Sequence, residues 1–175
     1  MKMLRYFSFE QVGQLWIAKL KPIMGGARNN FSLTTSTVVA AAVAAFKTVL
    51  QLVAPTGVIV AVQEVMISFD GTSNTAAPIQ VEVLRQTTAG TATARAPLKT
   101  KDTSTAIGST GQENFTVEPT ASDILVSLEI HPQAGVVYPV PLPDGEIELA
   151  SATRLGLRIN APAAVNCKAT IKGEE

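Results

Sequence analysis

The sequence predicts an all-β protein: an antiparallel β-sandwich (jelly roll) with a short N-terminal helical/extended arm. Three observations lead there. Runs of apolar residues alternating with polar ones recur through residues 31–175. Each run is bounded by Gly, Pro, Asp or Asn, at the turn spacing of a sandwich. The runs amount to about eight or nine short strands, which suits two four-stranded sheets. The chain has 175 residues, enough for one domain plus an appendage. At that size one core buries roughly two-thirds of the unfolded chain's surface, so no staple is needed. Apolar residues make up 46% and aromatics only 5%, so the core must be built mainly from Val, Ile, Leu and Ala.

Residues 1–30 form the arm. Ser8 with Gln11 fits a capping box, and Phe7 with Val12 a hydrophobic staple. Phe9, Val12, Trp16 and Leu20 recur at helical spacing. Pro22 and Gly25-Gly26 would end the helix. The spacing therefore predicts an amphipathic helix over about residues 8–20. A helix this short is marginal alone in water. Its apolar stripe must lie on its own domain, a sister subunit or another protein.

Residues 31–175 form the sandwich. Phe31–Thr37 and Lys47–Val53 read as strands, and the Ala-rich Val38–Ala45 leans the same way. Val58, Val60 and Val62 share one face, whereas Val65, Ile67 and Phe69 have the opposite parity. The phase flips near Gln63-Glu64, as a β-bulge or a change of strand partner would require. Asp70-Gly71 is a turn signal. Ile79, Val81 and Val83 alternate with Gln80 and Glu82. Residues 87–122 are a Thr/Ala/Gly/Ser-rich excursion too long for a hairpin loop. Its best strand is Asn114–Val117, and long excursions of this kind carry contacts. Ile124, Val126, Leu128 and Ile130 then alternate. Val136–Leu142 contains Pro139 and Pro141, with Pro143 just beyond, so it should be an edge or bulged strand. Ile147 and Leu149, Leu155 to Ile159, and Val165 to Ile171 complete the pattern.

Net charge is zero, which argues against generic nucleic-acid binding. The balance is uneven. Lys2, Arg5, Lys19, Lys21 and Arg28 against Glu10 give the arm +4, and nine basic against thirteen acidic groups give the rest −4. A basic arm on an acidic body suits docking onto an acidic neighbour. No secretory signal is expected, because Glu10, Gln11 and Gln14 break the leading apolar stretch. Val38–Phe46 is about half the ~20 residues a bilayer needs, so no membrane span is expected.

Little points to catalysis. The one histidine, His131, precedes Pro132 and reads as a strand-end residue, and no G-x-S-x-G surrounds a serine. The one cysteine, Cys167, excludes an internal disulfide. It has inward parity and reads as a small buried hydrophobe. Asp144, Glu146 and Glu148 read as a solvated face before a calcium site. No catalytic, cofactor or metal residue is expected, and no small-molecule substrate. Interface residues are expected in the arm: Arg5, Phe7, Phe9, Trp16, Lys19, Lys21 and Arg28, because Trp and Arg are favoured anchors.

Four stretches carry a resemblance: KTVLQLVAPTG (47–57), ISFDGTSNTAAPIQVEVLRQTTAGTATA (67–94), TASDILVSLEIHPQAG (120–135) and RLGLRINAPAAVNCKATIKGEE (154–175). In these the chain resembles the capsid decoration, or cement, proteins of tailed bacteriophages. The resemblance implies a jelly-roll virion protein, a homotrimer on the outer capsid surface. It implies the major capsid protein as partner, with neighbouring capsid subunits clamped together. The arm lies outside the resembling stretches. The alternative expectation is a phage fibre, tail or receptor-binding sandwich. A carbohydrate-active jelly roll would need two converging carboxylates.

Overall fold

A computed structural model describes residues 8–12, 15–19, 29–36, 39–41, 45–70, 77–101, 105–140 and 145–175, with strands 8–12, 15–19 and 39–41 described by their backbone alone. The strands are β1 (Ser8–Val12), β2 (Leu15–Lys19), β3 (Asn30–Thr34), β4 (Val39–Ala41), β5 (Phe46–Val53), β6 (Val60–Phe69), β7 (Ile79–Gln86) and β8 (Thr91–Arg95). They continue with β9 (Leu98–Lys99), β10 (Thr110–Val117), β11 (Ala121–Ile130), β12 (Gly135–Pro139), β13 (Ile147–Leu149), β14 (Arg154–Asn160) and β15 (Val165–Glu174).

Two antiparallel sheets pack face to face. One runs β11-β7-β14-β5-β10-β8; the other runs β12-β6-β15-β3-β9, with β13 also on β6 and β4 also on β15. Without the strands of the 87–122 excursion, the paths reduce to β11-β7-β14-β5 and β12-β6-β15-β3. The chain alternates between these two sheets except at the β7–β11 connection, where both strands lie in one. This is the jelly-roll topology that the alternating pattern predicts.

The core follows from strand parity. Phe31, Leu33, Leu50, Leu52, Leu155, Leu157, Ile159 and Ile171 are each 1% exposed or less and join one apolar cluster between the sheets. Full burial of such a side chain contributes about 1.5–3 kcal/mol. The phase flip in β6 has both of its possible causes. Lys172 pairs Glu64 and Gly173 pairs Val62, which leaves Gln63 as the extra residue of a bulge. On its other edge β6 changes partner at the same place, from β12 at Glu64 to β13 at Val62. Val60, Val62, Val65 and Ile67 thereby all reach the core.

One expectation is overturned. Residues 8–12 and 15–19 are strands, not a helix: β1 and β2 pair antiparallel with Gln11 opposite Trp16 and Val12 opposite Leu15. The competing physics is local. Phe9, Val12, Trp16 and Ile17 are strand formers. The helical spacing was real, but a helix of that length gains little alone.

The alternation also misleads at Ile124, which is 51% exposed. Register shifts on both sides of it put Ile124 opposite Leu84 and Val126 opposite Val83. Val126, Leu128 and Ile130 keep the core face, and Ile124 does not. The body also begins before residue 31. Asn29 exchanges backbone hydrogen bonds with Glu175 at 3.1 and 3.2 Å, and Asn30 opens β3.

Candidate functional site: two sides of the sandwich

The sandwich has two lateral sides, and the sequence builds them differently. On one side the 87–122 excursion ties the sheets together. Its β10 pairs β5 in the first sheet, and its β9 pairs β3 in the second. Arg95 Nε donates to Thr34 O at 2.7 Å. The Glu113 carboxylate, 2% exposed, accepts from Ser36 N at 2.7 Å and from the Ser36 hydroxyl. Gly111 is needed here, because a Cβ would stand 2.5 Å from the Leu33 side chain and 2.8 Å from Arg95 O. The β10 register breaks after Glu113, where Asn114 adopts φ 55°, a conformation Asn tolerates. Just before β10 the Glu175 carboxylate accepts from Gly108 N (2.6 Å), Ser109 N (2.9 Å) and Ser109 Oγ (2.6 Å). Every one of these contacts joins segments far apart in sequence.

The other side is open. Among the described residues β11 pairs with β7 alone and β12 with β6 alone, so each leaves a free edge. The sheets meet there through Arg85 Nη2, which donates to Glu148 O at 3.1 Å. A shallow groove of about 520 Å³ lies between them, lined by Arg85, Leu125, Glu146, Ile147 and Glu148. Ile124 and Leu125 are 51% and 39% exposed beside it, and Val137 on β12 is 57% exposed. Neighbouring exposed apolar residues on a free strand edge invite a partner. The sequence signal for this surface is the adjacent pair Ile124-Leu125, which strict alternation leaves half unexplained.

The expected interface residues fall in two groups. Phe9, Trp16 and Lys19 are brought together on the β1–β2 hairpin, with Lys19 opposite Ser8 and Phe9 opposite Ala18. Arg5, Phe7, Lys21 and Arg28 lie outside the described residues. The groove residues were not among those expected from sequence.

The residues weighed for chemistry sit as follows. Cys167 is 2% exposed in the core, and burial, aided by the Asp70 charge, pushes its thiol up to about 12. A thiol held neutral there is a packing group and a poor nucleophile. His131 is exposed just past the end of β11, where its Nδ1 accepts from Gln133 N at 3.2 Å. Glu146 and Glu148 flank Ile147 at the groove, and Asp144 lies outside the described residues. No three His, Cys, Asp or Glu residues gather as metal ligands among the described residues. Nor is any helix there long and apolar enough to cross a membrane.

No family model matches the chain, and no curated protein or solved structure matches it either.

Proposed function

We propose that this chain is a structural virion protein that binds the outer surface of a phage capsid and clamps neighbouring major capsid protein subunits. The observation that carries the reading is the open side of the sandwich, where Ile124, Leu125 and Val137 stand exposed on free strand edges. Burying such side chains against a partner is favourable in proportion to the apolar area covered. The four resembling stretches supply the word capsid, and they lie wholly within the sandwich. The basic arm adds a second attachment with Trp and Arg anchors. A clamp of this kind works mechanically. Repeated copies make each further contact effectively intramolecular, so avidity exceeds single-site affinity.

The test is reconstitution. Particles lacking the protein are incubated with the purified chain and imaged by cryo-electron microscopy. The reading expects regular added density on the outer shell where capsid subunits meet. Density confined to the tail or fibres, or none, would count against it. Removal of residues 1–28 should weaken attachment while leaving the sandwich folded. The cut stops at residue 28 because Asn29 already belongs to the body.

A further inference from the structure

Among the described residues, three strands have a free edge on the open side of the sandwich, and they are not alike. β13 is 3 residues long. β12 ends in Pro139, which has no N–H to donate. β11 runs for 10 residues, Ala121–Ile130, without Pro, Gly, Lys or Arg. Its register shifts fall in its first half, and Val126–Ile130 pair with Val83–Ile79 without a break. The edge facing away from β7 is therefore regular along that stretch. A proline, a lysine or a bulge would blunt it, and the stretch has none of these.

The core is incompletely covered along the same side. Val126 and Leu128 pack on it from β11, and Val136 and Ile147 from the facing sheet, and all of them are only half-buried. At the bulged end of β11 the groove beside Leu125 holds Glu146 and Glu148. The described ion pairs join Lys47 to Glu118, Arg158 to Glu82 and Lys172 to Glu64. Among the described residues neither groove carboxylate has such a partner. Arg85, the base among the groove residues, donates from Nη2 to the Glu148 backbone carbonyl at 3.1 Å instead. The groove is left with an excess of negative charge that a cation from outside can neutralise.

We propose that the open side takes an extended segment of another protein, added as a strand to the free edge of β11. The segment has apolar residues at alternate positions and Lys or Arg at the end that meets Glu146 and Glu148. Main-chain hydrogen bonds along Val126–Ile130 supply affinity, and every second side chain supplies specificity. Those inward side chains lie over Val126 and Leu128, towards Val136 and Ile147, and close the margin of the core. The basic end reaches the groove past Leu125. That this other protein is a capsid subunit rests on the clamp reading; the strand addition does not.

The test is run without capsids, by NMR on the isotope-labelled full chain. The probes are two short amidated peptides in which valine alternates with threonine. One ends in two lysines and its twin ends in two glutamates. The lysine peptide should shift the resonances of β11 and of residues 145–149. It should also slow hydrogen exchange at the alternate β11 amides that point away from β7, which is the mark of strand pairing. The lysine peptide should bind roughly tenfold or more tightly than its twin, with the gap narrowing at high salt. Glu146→Lys/Glu148→Lys should reverse that preference, and Leu125→Ser should weaken both peptides. All of these positions lie at the surface, and far-UV circular dichroism verifies the fold.

The proposal is overturned if neither peptide binds at millimolar concentration, or if binding leaves the outward β11 amides unprotected. Equal binding of the twins removes the charged end of it. Outward amides already protected before any peptide is added also overturn it. Protection that is independent of dilution would mean that the chain's own arm fills the edge, and protection that falls on dilution would mean a second copy. Capsid decoration by a chain that ignores both peptides sinks the strand addition and leaves the clamp reading standing. Peptide pairing by a chain that never decorates capsids does the reverse.

Discussion

The two lateral sides of the sandwich share one core and one topology, yet they are finished in opposite ways. The side at β3 and β5 is sealed by the excursion. Glu113, Arg95 and Glu175 each fasten a loop to a distant strand there. Among the described residues, the side at β11 and β12 has free edges, exposed Ile124, Leu125 and Val137, and a bridging hydrogen bond from Arg85. A fold that can seal one edge pair with its own chain has the means to seal the other. The contrast puts the fastening of loops to distant strands on the first side and the free strand edges on the second, and under the proposed function the second side is the one offered to a partner.

The largest effect concerns the core that both sides share. Phe31→Ala should cost about 3–5 kcal/mol in urea unfolding, since Phe31 is 1% exposed and the cavity cannot be refilled. A pH effect follows from Cys167. Its thiol is raised from 9.0 to about 12 in the folded chain. The unfolded chain therefore ionises first as pH rises. The contribution is complete below pH 9 and is lost progressively up to about pH 12, at most about 4 kcal/mol. The alkaline loss should be smaller in Cys167→Ala, and iodoacetamide at pH 8 should label the native thiol only after unfolding. If the native thiol labels as fast as the unfolded one, the buried placement is wrong.

Next come the two sides. Glu113→Ala leaves the Ser36 amide without its acceptor and should cost about 1–3 kcal/mol. Hydrogen exchange should rise along β10 and residues 35–36 before it rises in β6 or β15. Leu125→Asp, on the open side, should change stability by no more than about 0.5 kcal/mol. If Leu125→Asp destabilises the fold as much as Glu113→Ala, the division of labour between the sides fails.

Legibility in the sequence divides along the same line. The strands with one face on the core were readable, because burial imposes period two on β3 and β15. Even the Gln63 bulge left a trace, as a change of parity in the valines of β6. Three things escaped. The helical spacing of Phe9, Val12 and Trp16 coincides with a set of good strand formers, and pairing decided between them. Ile124 looked like core, because register shifts against β7 leave no mark in the alternation. Glu82 alternates with the core residues Val81 and Val83. It is 3% exposed, paired with Arg158 at 2.7 Å, with that guanidinium lying 3.9 Å over Phe46. Which polar residues a second layer covers depends on long-range topology, and that is why the groove was invisible from the sequence.

The most direct test of the account is co-sedimentation with capsids that lack the protein. The account predicts saturable binding by the parent chain. It predicts undiminished binding by a sealed-side surface variant such as Leu98→Ser, at a residue 65% exposed on β9. It predicts markedly weaker binding by folded Leu125→Asp. A parent chain that stays in the supernatant, or a Leu125→Asp chain that sediments as well as the parent, would contradict it.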